Sequence, residues 1–554
     1  MLRVELHVPT VLDALAVRQP GAVALAQGGR TTTYADLAER TDRLAAVLLA
    51  HGVGRRAGHE DVAPWESPHE HVALYLLNCP EYLEGMVGAW KAGATSMNVN
   101  YRYVADELAY LLEDGRAAAV VVHRRFLPTL AEVRGRLTDP PRLVLVVDDG
   151  SDHVLPEWTT PLEGALASAP GGVPDDVRAR WSGDDRYLCY TGGTTGSPKG
   201  TLWRQDDFLR AALGVGRRDG SPYRSLDELL AAANPGLSTL PAPPMMHGAA
   251  HWNALSCWMA GGTVVMQQVV DRFDPDDVLD TVAAHGCSSL LLVGDPMARP
   301  LLGALGRRDA PPPSLRHVVS GGAVLSPTVR AGLLDAVPGL RVIDVLGSTE
   351  SGRQGVASAD AGSPSPAGFR PADTAVVLSE DLSRRLGPGD PEVGWLAQTG
   401  RVPLGYLGHP ARTAATFPVV DGVRHAVPGD RARLQADGTV ELLGRDSVCI
   451  NTGGEKVFAE EVEVAITSHP AVADAVVCGR PSERFGQEVV AVVQLLDGAS
   501  TTDEELRAHA GAHLAGYKLP RAFVRVPLVV RSPSGKADYR WAAAQVGGSG
   551  PVSP

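Results

Sequence analysis

The chain has 554 residues, 44% hydrophobic and 21% charged, a globular composition that excludes disorder over most of its length. With 51 basic against 64 acidic residues the net charge is −13, so nucleic acid is not an expected partner and any anionic ligand needs a local site. No apolar run reaches the roughly 18 residues that span a bilayer, and the first 27 residues lack a basic start followed by an apolar stretch, so a soluble, cytoplasmic protein is expected.

From residue 10 to 112 apolar residues recur at three- and four-residue spacing, as over 34–51 and 81–91, which predicts helices separated by short strands. The polar stretch RRAGHEDVAPWESPHEH between Val53 and Val72 interrupts this passage and reads as a surface loop. Compact apolar runs at 117–123, 143–148 and 290–294 predict strands between helices, hence layered α/β architecture. From 374 to 444 short strands alternate with turns at 388–390, 421–422 and 437–438, which predicts a β-rich subdomain. Beyond Arg445 a glycine pair, a helical stretch at 459–468 and β-type runs at 475–478 and 489–495 predict a separate α+β domain. The fold class is therefore α/β: a large layered N-terminal domain over 1–443 with its β-rich subdomain at about 374–443, a small C-terminal domain over 448–544, and a disordered tail at 545–554.

Six scattered cysteines with no CxxC pair predict buried free thiols rather than disulfides or a zinc site. Only Lys91, Lys199, Lys456, Lys518 and Lys536 of the 51 basic residues are lysine. Arginine has taken most positions where charge alone suffices, so the remaining lysines are enriched for places that need a compact ammonium.

The chemistry concentrates first at YTGGTTGSPKG, Tyr190 to Gly200, which follows a β-type run. Its glycines let successive N–H groups converge on an anion, its hydroxyls add donors and its lysine adds charge, which together make a phosphate cradle. It is not a P-loop, because Pro198 precedes Lys199 and biases Ser197 away from helical geometry. This loop, with LGSTE at Leu346–Glu350, VPGDRARL around Asp430, GRDSVCINTGGEKV from Gly444 and RSPSGKADYR around Lys536, resembles the adenylate-forming superfamily of acyl-CoA synthetases, nonribosomal adenylation domains and luciferases. The resemblance covers nearly the whole chain. In detail, TGGTTGSPKG with WRQDDF, PMMHG and CINTGGEKV is similar to actinobacterial acyl-CoA synthetases of fatty-acid and steroid side-chain type.

The resemblance implies ATP and Mg²⁺, with CoA as cosubstrate. Thr191, Gly192, Gly193, Thr194, Thr195, Gly196 and Lys199 would bind the pyrophosphate end of ATP; Gly322 and Ala323 would border adenine. Leu346 stands where relatives carry an aromatic that stacks on adenine, followed by Gly347, Ser348 and Thr349, the last touching the α-phosphate. Glu350 would hold magnesium, a hard cation that takes oxygen ligands beside phosphate. Asp430 would accept from the ribose hydroxyls, and Arg445 matches the family's arginine. The implied hinge lies at 444–447, making the C-terminal domain mobile; Ser447 departs from the usual Asp or Lys there. Lys536 would bond carboxylate and α-phosphate during adenylation, whereas Gly453, Gly454 and Lys456 would line a thiol tunnel after rotation. His247 in PMMHG would gate the acceptor pocket, with His251, Trp252 and Trp258 lining it.

The leading reading is activation of a small oxyanion as its AMP mixed anhydride by a carboxylate–CoA ligase. The same motifs fit an ATP-dependent diazotase that adenylates nitrite and passes the nitroso group to an aromatic amine, since they recognise ATP and not the attacking group. A non-catalytic nucleotide-binding protein is the third reading, and an oligomer is open in all three.

Overall fold

Strands buried on both faces read as unbroken apolar runs, and here such strands build the centre of two sheets. The computed structural model describes residues 4–191, 198–217, 219–363, 368–452, 455–482, 485–514, 516–531 and 535–547. Among them, a nine-stranded sheet runs edge to edge as Arg370–Pro371, Gly352–Ala359, Arg341–Ser348, His317–Gly321, Ser289–Leu292, Ser238–Pro241, Thr263–Met266, Val23–Gln27 and Arg30–Thr33. Its interior pairings are parallel and its margins antiparallel. A second, all-parallel sheet orders Thr95–Asn98, His71–Tyr75, Ala117–His123, Leu143–Val147 and Thr160–Pro161.

Helices Tyr34–Ala50 and Pro80–Lys91 fill the layer between the two sheets, in one core that joins Leu25, Val264 and Met266 to Val72, Val121 and Leu145. The first begins in a capping box between Thr33 and Asp36, which satisfies otherwise orphaned amides. Every residue of the second is buried. It includes Lys91, whose ammonium is 2.7 Å from Asp13 and 2.5 Å from Asp42, so this lysine serves the core. The outer face of the larger sheet is covered by Pro275–His285, Gly294–Gly306 and Pro327–Ala336.

The stretch expected as a surface loop closes inward at its end: His69, Glu70 and His71 are buried. Asp185 gathers it, pairing with Arg55, with His59 Nε2 at 3.0 Å and with His7 Nε2 at 3.3 Å. Burial would raise this carboxyl, yet hydrogen bonds from His59 and His7 hold it well below the usual carboxylate range. His69 is held at both ring nitrogens, Nδ1 donating to the Gly93 carbonyl at 2.8 Å and Nε2 accepting from the Arg186 amide at 3.2 Å, whereas His59 Nδ1 has no hydrogen-bond partner among the described residues.

The β-rich segment is a four-stranded sheet, Ala375–Leu378, Gly394–Gln398, Asp430–Leu434 and Val440–Arg445. Beyond it, Cys449–Thr452, Glu455–Phe458, Val472–Ser482, Gly486–Leu495 and Ala522–Arg525 form a further sheet, packed against helices Ala459–Thr467 and Asp503–Gly511. The expected disorder does not hold at Val546, which is buried with Val476 and Val490; residues 548–554 lie outside the described residues. None of the six cysteines is in a disulfide; four are buried, and Cys257 and Cys449 are partly so.

Candidate functional site

A hairpin builds the phosphate end of the site. Strands Arg186–Thr191 and Lys199–Arg204 pair antiparallel, with Thr191 opposite Lys199, so the glycine-rich segment joins strand to strand rather than strand to helix. Gly192, Gly193, Thr194, Thr195 and Gly196 lie outside the described residues, as do Gly453 and Gly454. The half-buried Lys199 ammonium sits 5.3 Å from the centroid of the Tyr406 ring. Burial and then repulsion from Arg412 lower its affinity for a proton, partly offset by Glu350. The Tyr406 hydroxyl donates to Glu350 Oε1 at 3.1 Å, while Oε2 of that carboxylate accepts nothing among the described residues. One tyrosine thus organises both the lysine and the glutamate, and strand Gly405–Tyr406 carries it by pairing with Thr201–Leu202.

Strand Arg341–Ser348 delivers LGSTE. Leu346 packs on the apolar core of the β-rich sheet, with Val377, Leu396 and Ala432. At Gly347 a Cβ would stand 2.2 Å from the Gly352 carbonyl, so only glycine permits the hairpin to close. Ser348 and Ser351 share a hydrogen bond at 2.9 Å, and the Thr349 carbonyl accepts from Trp203 Nε1 at 2.9 Å. Gly322 and the half-buried Ala323 follow strand His317–Gly321, with Gly322 at φ +84°.

The PMMHG segment is held by two buried asparagines. Asn98 donates from Nδ2 to the carbonyls of Tyr190 at 2.8 Å and Met246 at 2.7 Å and accepts the Tyr190 amide at 2.7 Å. Asn78 donates to the Pro243 carbonyl and accepts the Met245 amide at 2.6 Å. His247 is thereby fixed at the N-terminus of helix Gly248–Met259. Its Nε2 is buried without a hydrogen-bond partner among the described residues, and desolvation followed by repulsion from Lys536 pushes its pKa down to about 3, which keeps the imidazole neutral. His251 and Trp258 do not line the cleft as expected. His251 is buried, with Nδ1 donating to the Met245 carbonyl at 2.8 Å and Nε2 accepting from the Tyr187 hydroxyl at 2.5 Å. Trp258 is fully buried, and its Nε1 donates to the Ala24 carbonyl at 2.9 Å. Trp252 is partly buried and donates to the same Tyr187 hydroxyl at 2.6 Å.

Asp430 and Arg445 face each other across paired strands, with Arg445 Nε donating to Asp430 Oδ1 at 3.2 Å. The Asp430 charge is the first cause that raises the arginine's hold on its proton. Lys536 arrives in this same space from the far end of the chain. Its surface is open to the cleft, yet the surrounding protein lowers its proton affinity by desolvation, with Arg445 adding repulsion and Glu350, Asp430 and Cys189 opposing. The preceding Gly535, at φ +76°, lies where a Cβ would be 3.2 Å from Val293, so glycine lets this loop dock on the larger domain. Lys536 thus feels the charges of Glu350, Asp430 and Arg445 and acts on His247, and Lys199 feels Glu350, so the structure brings these six residues into one neighbourhood. Lys456 lies in a strand opposite Asn451, with only its backbone described.

The AMP-binding enzyme family model matches residues 12–402, and that of the AMP-binding enzyme C-terminal domain matches 461–536. The chain belongs to the AMP-binding enzyme family. This AMP-binding enzyme is 48% identical to the medium-chain acyl-CoA ligase Mig of Mycobacterium avium, over 97% of its own length and 98% of the relative's. It is 40% identical to the 3-oxocholest-4-en-26-oate–CoA ligase of Rhodococcus rhodochrous, over 95% and 94% of the two chains. In fold it is similar to the anthranilate CoA ligase AuaEII bound to anthranoyl-AMP, with a TM-score of 0.80 at 21% identity over 98% of each chain. No helix of the described residues is long and apolar enough to cross a membrane.

Several residues of the site in this AMP-binding enzyme escaped the sequence reading. Tyr406 carried a signal, a Gly-Tyr pair in a turn-rich stretch, but its pairing with the Lys199 strand is non-local. Asn78 and Asn98 gave none, because an asparagine after an apolar strand looks like an ordinary turn residue. Glu460 is the third case. Its carboxylate lies against Gly444, where a Cβ would be 2.2 Å from Oε2, and Oε1 accepts the Arg445 amide at 3.4 Å.

Proposed function

We propose that this enzyme is an ATP-dependent carboxylate–CoA ligase. The observation that carries the reading is the convergence of Lys536, from the C-terminal domain, with Glu350, Asp430 and Arg445 of the larger one. A carboxylate and the α-phosphate of ATP are both anionic, so their approach needs cationic donors placed beforehand. Lys536 supplies a compact ammonium between them, and Thr349 supplies a hydroxyl beside the phosphate. Lys199, steadied on Tyr406, meets the departing pyrophosphate together with the glycine-rich loop. Asp430, with Arg445 on one oxygen, offers the other to the ribose hydroxyls.

Glu350 fits a magnesium ligand: it is a hard oxygen donor whose second oxygen accepts nothing among the described residues. Magnesium held there would neutralise phosphate charge. His247, neutral and fixed by its helix, closes the side of the cleft from which the acid enters. In the second half-reaction the C-terminal domain turns about 444–447, withdrawing Lys536 and bringing Gly453, Gly454 and Lys456 to guide the thiol of CoA. Carboxylate is favoured over nitrite as the attacking group because relatives that match almost end to end are named for carboxylic acids. A panel of carboxylates, with nitrite plus aromatic amines as the alternative, assayed for AMP with and without CoA tests this. Carboxylate-dependent AMP and acyl-CoA in equal amounts are expected; AMP formed only with nitrite would overturn the reading.

A further inference from the structure

Arg353 is a cation that the adenylating machinery does not use. It lies in strand Gly352–Ala359, three residues beyond Glu350 and opposite Gly347 in the strand pair. No carboxylate among the described residues pairs with it, and no hydrogen bond from its guanidinium is found among them. Its surface is exposed, while the protein around the guanidinium still desolvates it and lowers its hold on the proton. Gly214 makes the room: a Cβ there would stand 2.5 Å from Arg353 Nη2 and 2.8 Å from Cζ.

The position of Gly214 connects this cation to the reacting end. The π-helix Phe208–Ala212 leads into Leu213, whose carbonyl accepts from Ser256 Oγ at 3.1 Å. Gly248, Trp252 and Ser256 recur every four residues and so share one face of helix Gly248–Met259, which starts at His247. Eight residues at 1.5 Å rise make that face roughly 12 Å long. Trp203, Phe208 and Trp252 meet edge to face beside it, with ring centroids 6.5 and 5.5 Å apart, and tie it to the Thr349 carbonyl. Trp203 and Phe208 are fully buried and back the partly exposed Trp252; an acid held by its carboxylate near His247 and Lys536 would run past Trp252 toward Gly214. Arg353, with no hydrogen-bond or ion-pair partner among the described residues, lies beside Gly214.

We propose that Arg353 receives a second oxygen function, a carboxylate best of all, at the distal end of the acid, so that the preferred substrate class is an end-oxygenated acid rather than a plain one. The guanidinium fork matches a carboxylate bidentately and also serves a carbonyl or hydroxyl oxygen. The inference rests on the ligase reading. Its test compares acids of graded length with their partners bearing a terminal carboxylate, ketone or hydroxyl, by kcat/KM for AMP release in the full-length enzyme. At one length an oxygenated acid is expected to exceed its plain partner about tenfold or more, the scale of one charge-assisted hydrogen bond. Arg353→Met then collapses that ratio through the KM of the oxygenated acid, and Arg353→Lys collapses it less. Because the ratio is taken on one preparation, a partly folded variant does not distort it. A wild-type preference for plain acids at every length, or a ratio that Arg353→Met leaves unmoved, overturns this inference while the ligase reading stands. Absence of AMP with every carboxylate overturns both.

Discussion

The two sides of the cleft are held in different ways. On the larger domain Asn98 and Asn78 make three hydrogen bonds to the segment before His247 and two to Tyr190, tying the two together, and Tyr406 steadies Glu350 and Lys199. On the C-terminal side the described contacts are at separate points: Gly535 rests on Val293, Arg299 Nη2 donates to the Thr467 carbonyl at 3.0 Å, and Glu460 touches the strand end at Gly444 and Arg445. A rigid half preorganises charge, and a half docked at separate points can leave once the first anion has reacted.

The comparison breaks most visibly at Lys536. Lys536→Ala is expected to slow adenylation by roughly a hundredfold or more, the scale of one electrostatic donor to a transition state, with ATP affinity nearly unchanged. Lys536→Arg is not expected to restore it, since a planar fork cannot take the place of an ammonium between two oxyanions. Single-turnover kinetics with separate ATP titration check this; equal loss of ATP affinity and rate would make Lys536 a ground-state binding residue.

On the rigid side, Asn98→Ala strands three buried backbone groups and is expected to cost about 2–4 kcal/mol of stability. Urea unfolding checks it, and a loss near zero would show that the clamp is dispensable. Asp430→Ala is expected to weaken ATP by about 1–3 kcal/mol, the range for hydrogen bonds to a charged acceptor. Calorimetric titration with unchanged affinity would remove this residue from the ribose site.

The smallest effect sharpens the contrast at the docking face. Burial raises the Glu460 carboxyl to about 7, with Asp430 pushing it further up and Arg445 opposing. A carboxyl raised on folding contributes stability that is fully present below its ordinary value of 4.5 and is lost as pH climbs to about 7. The docked pose should therefore loosen over that interval, and the slope of melting temperature with pH should flatten in Glu460→Gln. Parallel slopes in the two proteins would separate Glu460 from docking.

Much of this was legible in the chain. Apolar runs at 117–123 and 143–148 are strands because burial on both faces leaves little room for polar residues. Lys199, Glu350, Asp430, Arg445 and Lys536 stand in motifs whose order survives even though their meeting point is set by the fold. What remained hidden is non-local. His251 and Trp258 belong to the core because helix Gly248–Met259 turns that face inward, a rotation that a stretch apolar nearly all round does not specify. The charge on Arg353 is visible in the sequence, but the bare glycine beneath it lies 139 positions away by chain numbering.

The central claim is that a carboxylate oxygen attacks ATP at the α-phosphorus and remains on the nucleotide. Turnover of an acid labelled in both carboxylate oxygens with ¹⁸O, in the presence of CoA, tests it directly by mass spectrometry of the products. The account predicts AMP carrying a single ¹⁸O for each acyl-CoA formed and unlabelled pyrophosphate. Unlabelled AMP alongside acyl-CoA would contradict it.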